Sequence, residues 1–182
     1  MSERRSYEVD DPSSGQRWVF RSGAGDTLEA DLHVSKGGFV REHVHPSQEE
    51  SFTGVSGTFV LSVGGRERRV GPGETLVIPP RTKHGFRDVP EDAHVRVTVR
   101  PALELESYFR AFLGLSRDGR LRMPAEGMPR PLLQAAVLLD RYSGEIAAPG
   151  IPIPLQRPAW WLLGRLGRLR GYRSSLPEYG SF

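Results

Sequence analysis

The sequence predicts an all-β core, a barrel or sandwich, followed by a helical extension. Three observations carry that expectation. Up to Arg100, short runs of alternating apolar and polar residues are separated by turn signals roughly every ten residues. After Pro101 the apolar spacing changes to that of a helix. The chain has 182 residues, 37% hydrophobic and 26% charged, so it can bury a core without covalent staples.

The first strand candidate is Arg17–Arg21. Thr27–Val34 alternates strictly and puts Leu28, Ala30, Leu32 and Val34 on one face. Lys36-Gly37-Gly38 breaks the chain before Phe39–His45, and Glu50–Val55 and Thr58–Val63 follow. Gly64-Gly65 suits a two-residue hairpin, because a type I′ turn needs positive φ at both positions. Glu67–Val70, Thr75–Pro79 and His94–Arg100 complete the β region, with Gly71-Pro72-Gly73 as a further breaker. Beyond Pro101, an amphipathic helix carries Leu103, Tyr108, Phe109, Phe112, Leu113 and Leu115 and ends at Ser116-Arg117-Asp118-Gly119. Pro131–Ile146 forms a second helix with proline at its start. The proline-rich stretch 148–154 excludes helix and central strand, and a third helix is expected from about Pro158 to Leu169. The expected division is a β-barrel over residues 1–100, with N-terminal strands, and a helical extension over 101–182 packing on the barrel or on a dimer partner.

Composition narrows the function. With no cysteine there is no disulfide scaffold, no thiolate zinc or iron–sulfur site and no cysteine nucleophile. The polar opening, Met1 to Asp11, lacks the apolar core of a secretory signal. No run approaches the roughly 18 to 20 apolar residues of a spanning helix, so the cytoplasm is the expected compartment. Net charge is only +3, with 23 arginines and two lysines (Lys36 and Lys83). It is unevenly spread: residues 1–100 are net −1 and residues 101–182 net +4, so an electrostatic partner would meet the C-terminal part. No helix-turn-helix pattern accompanies that charge, and nucleic acid is not an expected partner.

Among five histidines, His43 and His45 flank Val44 in a strand candidate, so their side chains share a face about 7 Å apart along the strand. Alone, the pair fits either metal ligation or a hydrogen-bonded surface pair. Glu50 follows on the next strand candidate, and His84 opens a later strand after Pro79-Pro80-Arg81-Thr82-Lys83. Three imidazoles and a carboxylate would suit divalent Fe, Mn, Ni, Zn or Co. His33 and His94 are expected at the surface, and Glu42, of opposite parity to His43, should face away from the lumen. Arg41 shares the parity of His43 and could hold a substrate carboxylate, while Phe52 shares the parity of Glu50 and would line the pocket.

Gly37, His43-Val44-His45, Glu50 and Gly57, at those spacings, resemble the first motif of the cupin superfamily, and Gly73, Pro79 and His84 resemble the second. The resemblance covers roughly residues 27–100. It implies a double-stranded β-helix (jelly-roll) barrel of the small single-barrel kind, holding a metal on His43, His45, Glu50 and His84, and a homodimer. The sequence departs from the pattern twice: Arg81 stands where the second motif usually has glycine, and Asp88 where it usually closes with asparagine. Glu49 competes with its neighbour Glu50 for the ligand position, and the six-residue gap to Gly57 favours Glu50. The implied activity is metal-dependent chemistry on a small organic molecule, oxygenase-like (a dioxygenase-like oxidoreductase) or isomerase-like. A non-catalytic metal- or ligand-binding barrel serving storage or sensing is the alternative, as is a vestigial site on an assembly module. Residues 158–173, rich in Trp, Leu and Arg, form a basic amphipathic helix expected to pack on the barrel or across a dimer, with contact to an anionic membrane as the other reading.

Overall fold

The computed structural model describes residues 7–21 and 25–180; the opening residues Met1–Ser6 lie outside the described residues. In chain order the strands are β1 (Tyr7–Asp11), β2 (Gln16–Arg21), β3 (Leu28–Val34), β4 (Val40–His43), β5 (Glu49–Ser56), β6 (Phe59–Val63), β7 (Arg66–Val70), β8 (Thr75–Ile78), β9 (His84–Phe86) and β10 (Ala93–Arg100). Helices α1 (Leu105–Arg117), α2 (Leu132–Arg141) and α3 (Ile153–Leu169) follow. The strands form two antiparallel sheets, ordered β1-β2-β3-β10-β5-β8 and β4-β9-β6-β7, the two walls of a jelly-roll barrel.

Alternation decides which face each strand turns inward. Leu28, Ala30, Leu32 and Val34 of β3 stand opposite Trp18 and Phe20 of β2 and Val95, Val97 and Val99 of β10, and all are buried. Phe52 and Glu50 of β5 continue that inner face. Across the lumen, Phe59, Leu61 and Phe86 come from the smaller sheet. The six-stranded sheet is wider than its partner, so the apolar face of β2 needs another cover. Helix α1 supplies it: Phe109 packs on Trp18 and Phe20, with ring centroids 4.8 and 5.8 Å apart. Gly64 and Gly65 join β6 to β7 with φ of 59° and 80°, the expected hairpin geometry.

Besides α2, which ends at Arg141 rather than Ile146, and β4, which ends at His43 rather than His45, the structure departs from the sequence expectations as follows. Strand β1 is formed by a polar pentapeptide; Val9 and Asp11 point inward, and Asp11 is satisfied by the hydroxyls of Ser13, Ser14 and Ser116. Helix α3 starts at Ile153 rather than Pro158. The stretch 148–154 is therefore not wholly non-helical, because Pro154 falls in the first turn, where backbone N–H groups have no helical partner to lose. His33 and His94 are half-buried rather than plain surface residues: their rings stack 4.1 Å apart, and His94 donates to the buried Asp31 at 3.1 Å.

Candidate metal centre

The site is assembled across the two sheets. His43 ends β4 and pairs directly with His84, the first residue of β9. Glu50 comes from β5 in the opposite wall, where it stands between Ile78 and Val99. Glu49 is exposed and Glu50 buried, so it is Glu50 whose carboxylate faces the histidines. His45 lies just past β4, not within it. Val44 leaves the barrel ladder and pairs with Ala147 of the extension, and Pro46 disfavours the helical region for His45, the residue before it.

One ligand atom from each of His43, His45, Glu50 and His84 lies within 4.8 Å of all the others. His84 Nε2 is 2.7 Å from Glu50 Oε2, His45 Nε2 is 3.5 Å from the same oxygen, and the Nε2 atoms of His43 and His45 are 3.2 Å apart. The opposite ring nitrogens all face backbone carbonyls. His43 Nδ1 meets Arg41 O at 2.9 Å, His45 Nδ1 meets Glu145 O at 2.6 Å, and His84 Nδ1 meets Thr82 O at 2.8 Å. A carbonyl only accepts, so each Nδ1 carries a proton and each ring presents its Nε2 to the centre, where the neutral form offers a lone pair to a cation. Three lone pairs and a carboxylate converging in a buried space repel one another unless a positive charge lies between them. The donor set therefore fits a divalent cation, and nitrogen with a single carboxylate is the mixture that suits Fe, Mn, Ni, Zn or Co.

The electrostatics agree with that demand. Burial and the adjoining rings of His84 and His45 push His43 well below the ordinary histidine value, which keeps its lone pair free. Burial works against the charged forms of His45 and Glu50. Their mutual attraction outweighs it, holding His45 above its usual value and, with His84, Glu50 far below the usual carboxylate range. Of the four candidate ligands only His43 is part-exposed.

The Arg41 guanidinium donates to Gly127 O at 2.8 Å. Gly127 belongs to the connection between α1 and α2, whose base is closed by mutual backbone hydrogen bonds of Arg122 and Arg130. Phe52 lies inside the barrel, buried against Phe59 at 5.5 Å between centroids. Glu42 faces away from the centre and bonds Ser62 and Lys83. Both departures from the motif fall at left-handed backbone: Arg81 has φ 63° and Asp88 has φ 52°. That is the region glycine and asparagine favour, so the usual residues and these two serve the same backbone shape. The Arg81 amide also donates to His45 O at 2.8 Å, tying the second motif to the first.

Sequence reasoning missed the contribution of the extension. Glu145 holds His45 through its backbone carbonyl, and Gln48 donates to the Glu145 carboxyl at 3.1 Å. A carbonyl leaves no trace in residue identity; only the spacing from α2 could have hinted that residues 145–147 return to the barrel.

Residues 30–99 match the family model described as Cupin domain. No curated protein matches the sequence. Several solved structures are similar. KdgF from a Halomonas species is 24% identical, spanning 54% of this chain and 87% of its own, at a TM-score of 0.47. An RmlC-like cupin from Shewanella frigidimarina is 19% identical over 57% of this chain and 89% of its own, at 0.49. Pac13 from Streptomyces, described as a nucleoside dehydratase, is 18% identical over 58% and 87%, at 0.48.

Proposed function

We propose that this chain is a metal-dependent enzyme that acts on a small organic molecule at the His43, His45, Glu50 and His84 centre. The observation that carries this reading is the convergence of three Nε2 atoms and one carboxylate oxygen, each ring aimed by a backbone carbonyl. A bound divalent metal would supply Lewis acidity or redox capacity there, which suits oxygenase-like or isomerase-like chemistry. The chain's own residues do the rest. The Glu50 carboxylate, ionised despite burial, contributes negative charge to the centre. Phe52 and Phe59 form an apolar wall that excludes water from the lumen. Arg41 can exchange its neutral partner, Gly127 O, for a substrate carboxylate, a stronger and bidentate acceptor.

The test is turnover of a panel of small carboxylic acids and phenols, with oxygen uptake and product both followed, after restoring Fe(II), Mn(II) or Ni(II) in turn. Activity that depends on one metal and disappears in His84→Ala is expected. Silence across the panel with metal tightly held would contradict an enzymatic role and leave a barrel that binds metal for storage or sensing.

A further inference from the structure

Helix α3 has two unlike sides. One packs on α2 with almost no side chain between the backbones: a Cβ on Gly167 would lie 2.6 Å from Val137 Cγ2, and one on Gly164 2.9 Å from Asp140 Cβ. The other side is apolar and open. Leu155, Trp161, Leu162, Leu166 and Leu169 are between 41% and 80% exposed. At about 100° per residue the four leucines fall in one narrow stripe, with Arg165 on one flank and Arg170 on the other. Residues 153–173 hold five arginines and no acidic residue. Arg168 pairs with Asp140, but Arg157, Arg165, Arg170 and Arg173 form no ion pair among the described residues. At the N-terminal end of α3, a groove of about 760 Å³ between Arg81 of the barrel and Arg157 and Trp161 of the helix extends the basic, apolar character toward the metal centre's loop.

We propose that α3 is an interfacial anchor that lays its leucine stripe into the surface of an anionic phospholipid bilayer, holding the barrel at the membrane. A leucine stripe bordered by Arg170 on one side and on the other by Arg165, whose guanidinium lies over the Trp161 ring at 5.9 Å, matches the layering of acyl chain, interface and phosphate. No helix among the described residues is long and apolar enough to cross a membrane, so α3 would lie along the surface. Charge selects this occupant over a second copy of the chain. Two α3 faces pressed together would oppose two sets of arginines with no acidic side chain in either helix to match them. The proposal is independent of catalysis.

The test uses the full chain and vesicles of phosphatidylcholine with or without phosphatidylserine. The protein should sediment with the phosphatidylserine vesicles, should be released from them by salt, and should itself remain in the supernatant when the vesicles are phosphatidylcholine alone. Leu162→Glu with Leu166→Glu should lower partitioning about tenfold or more, at unchanged metal content and thermal midpoint. Arg165→Glu with Arg170→Glu should lower it comparably. Equal sedimentation with both lipids, or undiminished binding of the leucine variant, overturns the proposal. So does a dimer in sedimentation equilibrium that the leucine variant dissociates, since a second copy would then occupy the stripe.

Discussion

Asp31 shows how a single buried carboxylate is kept ionised on the outer face of the barrel. Burial pushes its pKa up, but hydrogen bonds from His94 and Arg21, with the Arg21 charge, outweigh burial and hold it below the ordinary 3.8. A carboxylate with a depressed folded-state pKa stabilises the fold above the unfolded-state value and loses that contribution as the pH falls through the folded one. Asp31→Asn should therefore cost about 1–3 kcal/mol at neutral pH in urea unfolding, and the deficit should shrink as the pH is taken below 3.8. A deficit that is the same at neutral and acid pH would contradict this. Arg81 offers the opposite case. Its left-handed backbone costs a side-chain-bearing residue energy that glycine does not pay, while its Nε gains a long 3.3 Å contact to Pro46 O. Arg81→Gly should raise the thermal midpoint, by about 0.5–1 kcal/mol of stability; a lower midpoint would mean the guanidinium contact outweighs the strain.

At the level of elements, the packing of α3 on α2 depends on Gly164 and Gly167. A valine at Gly167 would meet Val137 and, at 2.7 Å, the carbonyl oxygen of Leu133, which cannot move without disturbing α2. Gly167→Val should destabilise the chain by about 1–3 kcal/mol, read by denaturant unfolding; no change would show that α3 can shift away from α2 at no cost. How visible each element is in the sequence follows from what specifies it. Thr27–Val34 is legible because strict alternation has one structural meaning, and Gly64-Gly65 because two positive φ angles demand it. Strand β1 is hidden, since Tyr7–Asp11 has a single aliphatic residue, Val9, and is held by pairing with β2 and by serine hydroxyls. The start of α3 is hidden because proline is read as a breaker, while its tolerance in a first turn depends on where that turn begins. Glu50, His43 and His84 are legible from the motif spacing. The bend that takes His45 out of β4 is not, because it comes from Ala147, a residue 102 positions away that contributes only backbone.

Taken as a whole molecule, the helical extension is part of the candidate metal centre. Val44 and Ala147 exchange backbone hydrogen bonds at 3.0 and 2.9 Å, and Glu145 O aims the imidazole of His45. A cation that binds the folded centre and not the unfolded chain stabilises everything the centre holds, by about 2.7 kcal/mol at a hundredfold excess over the dissociation constant. Metal should accordingly slow amide hydrogen exchange at Val44 and Ala147 as well as within the barrel strands. Unchanged exchange at Ala147 beside slowed exchange in the barrel would separate the extension from the site. The decisive determination is elemental analysis of the purified chain beside its His43→Ala and His84→Ala variants, with circular dichroism to confirm that all three are folded. One equivalent of a divalent transition metal in the unmodified chain, and a sharp loss in both folded variants, is the predicted result; equal occupancy in all three would contradict the assignment of these four side chains as the metal's ligands.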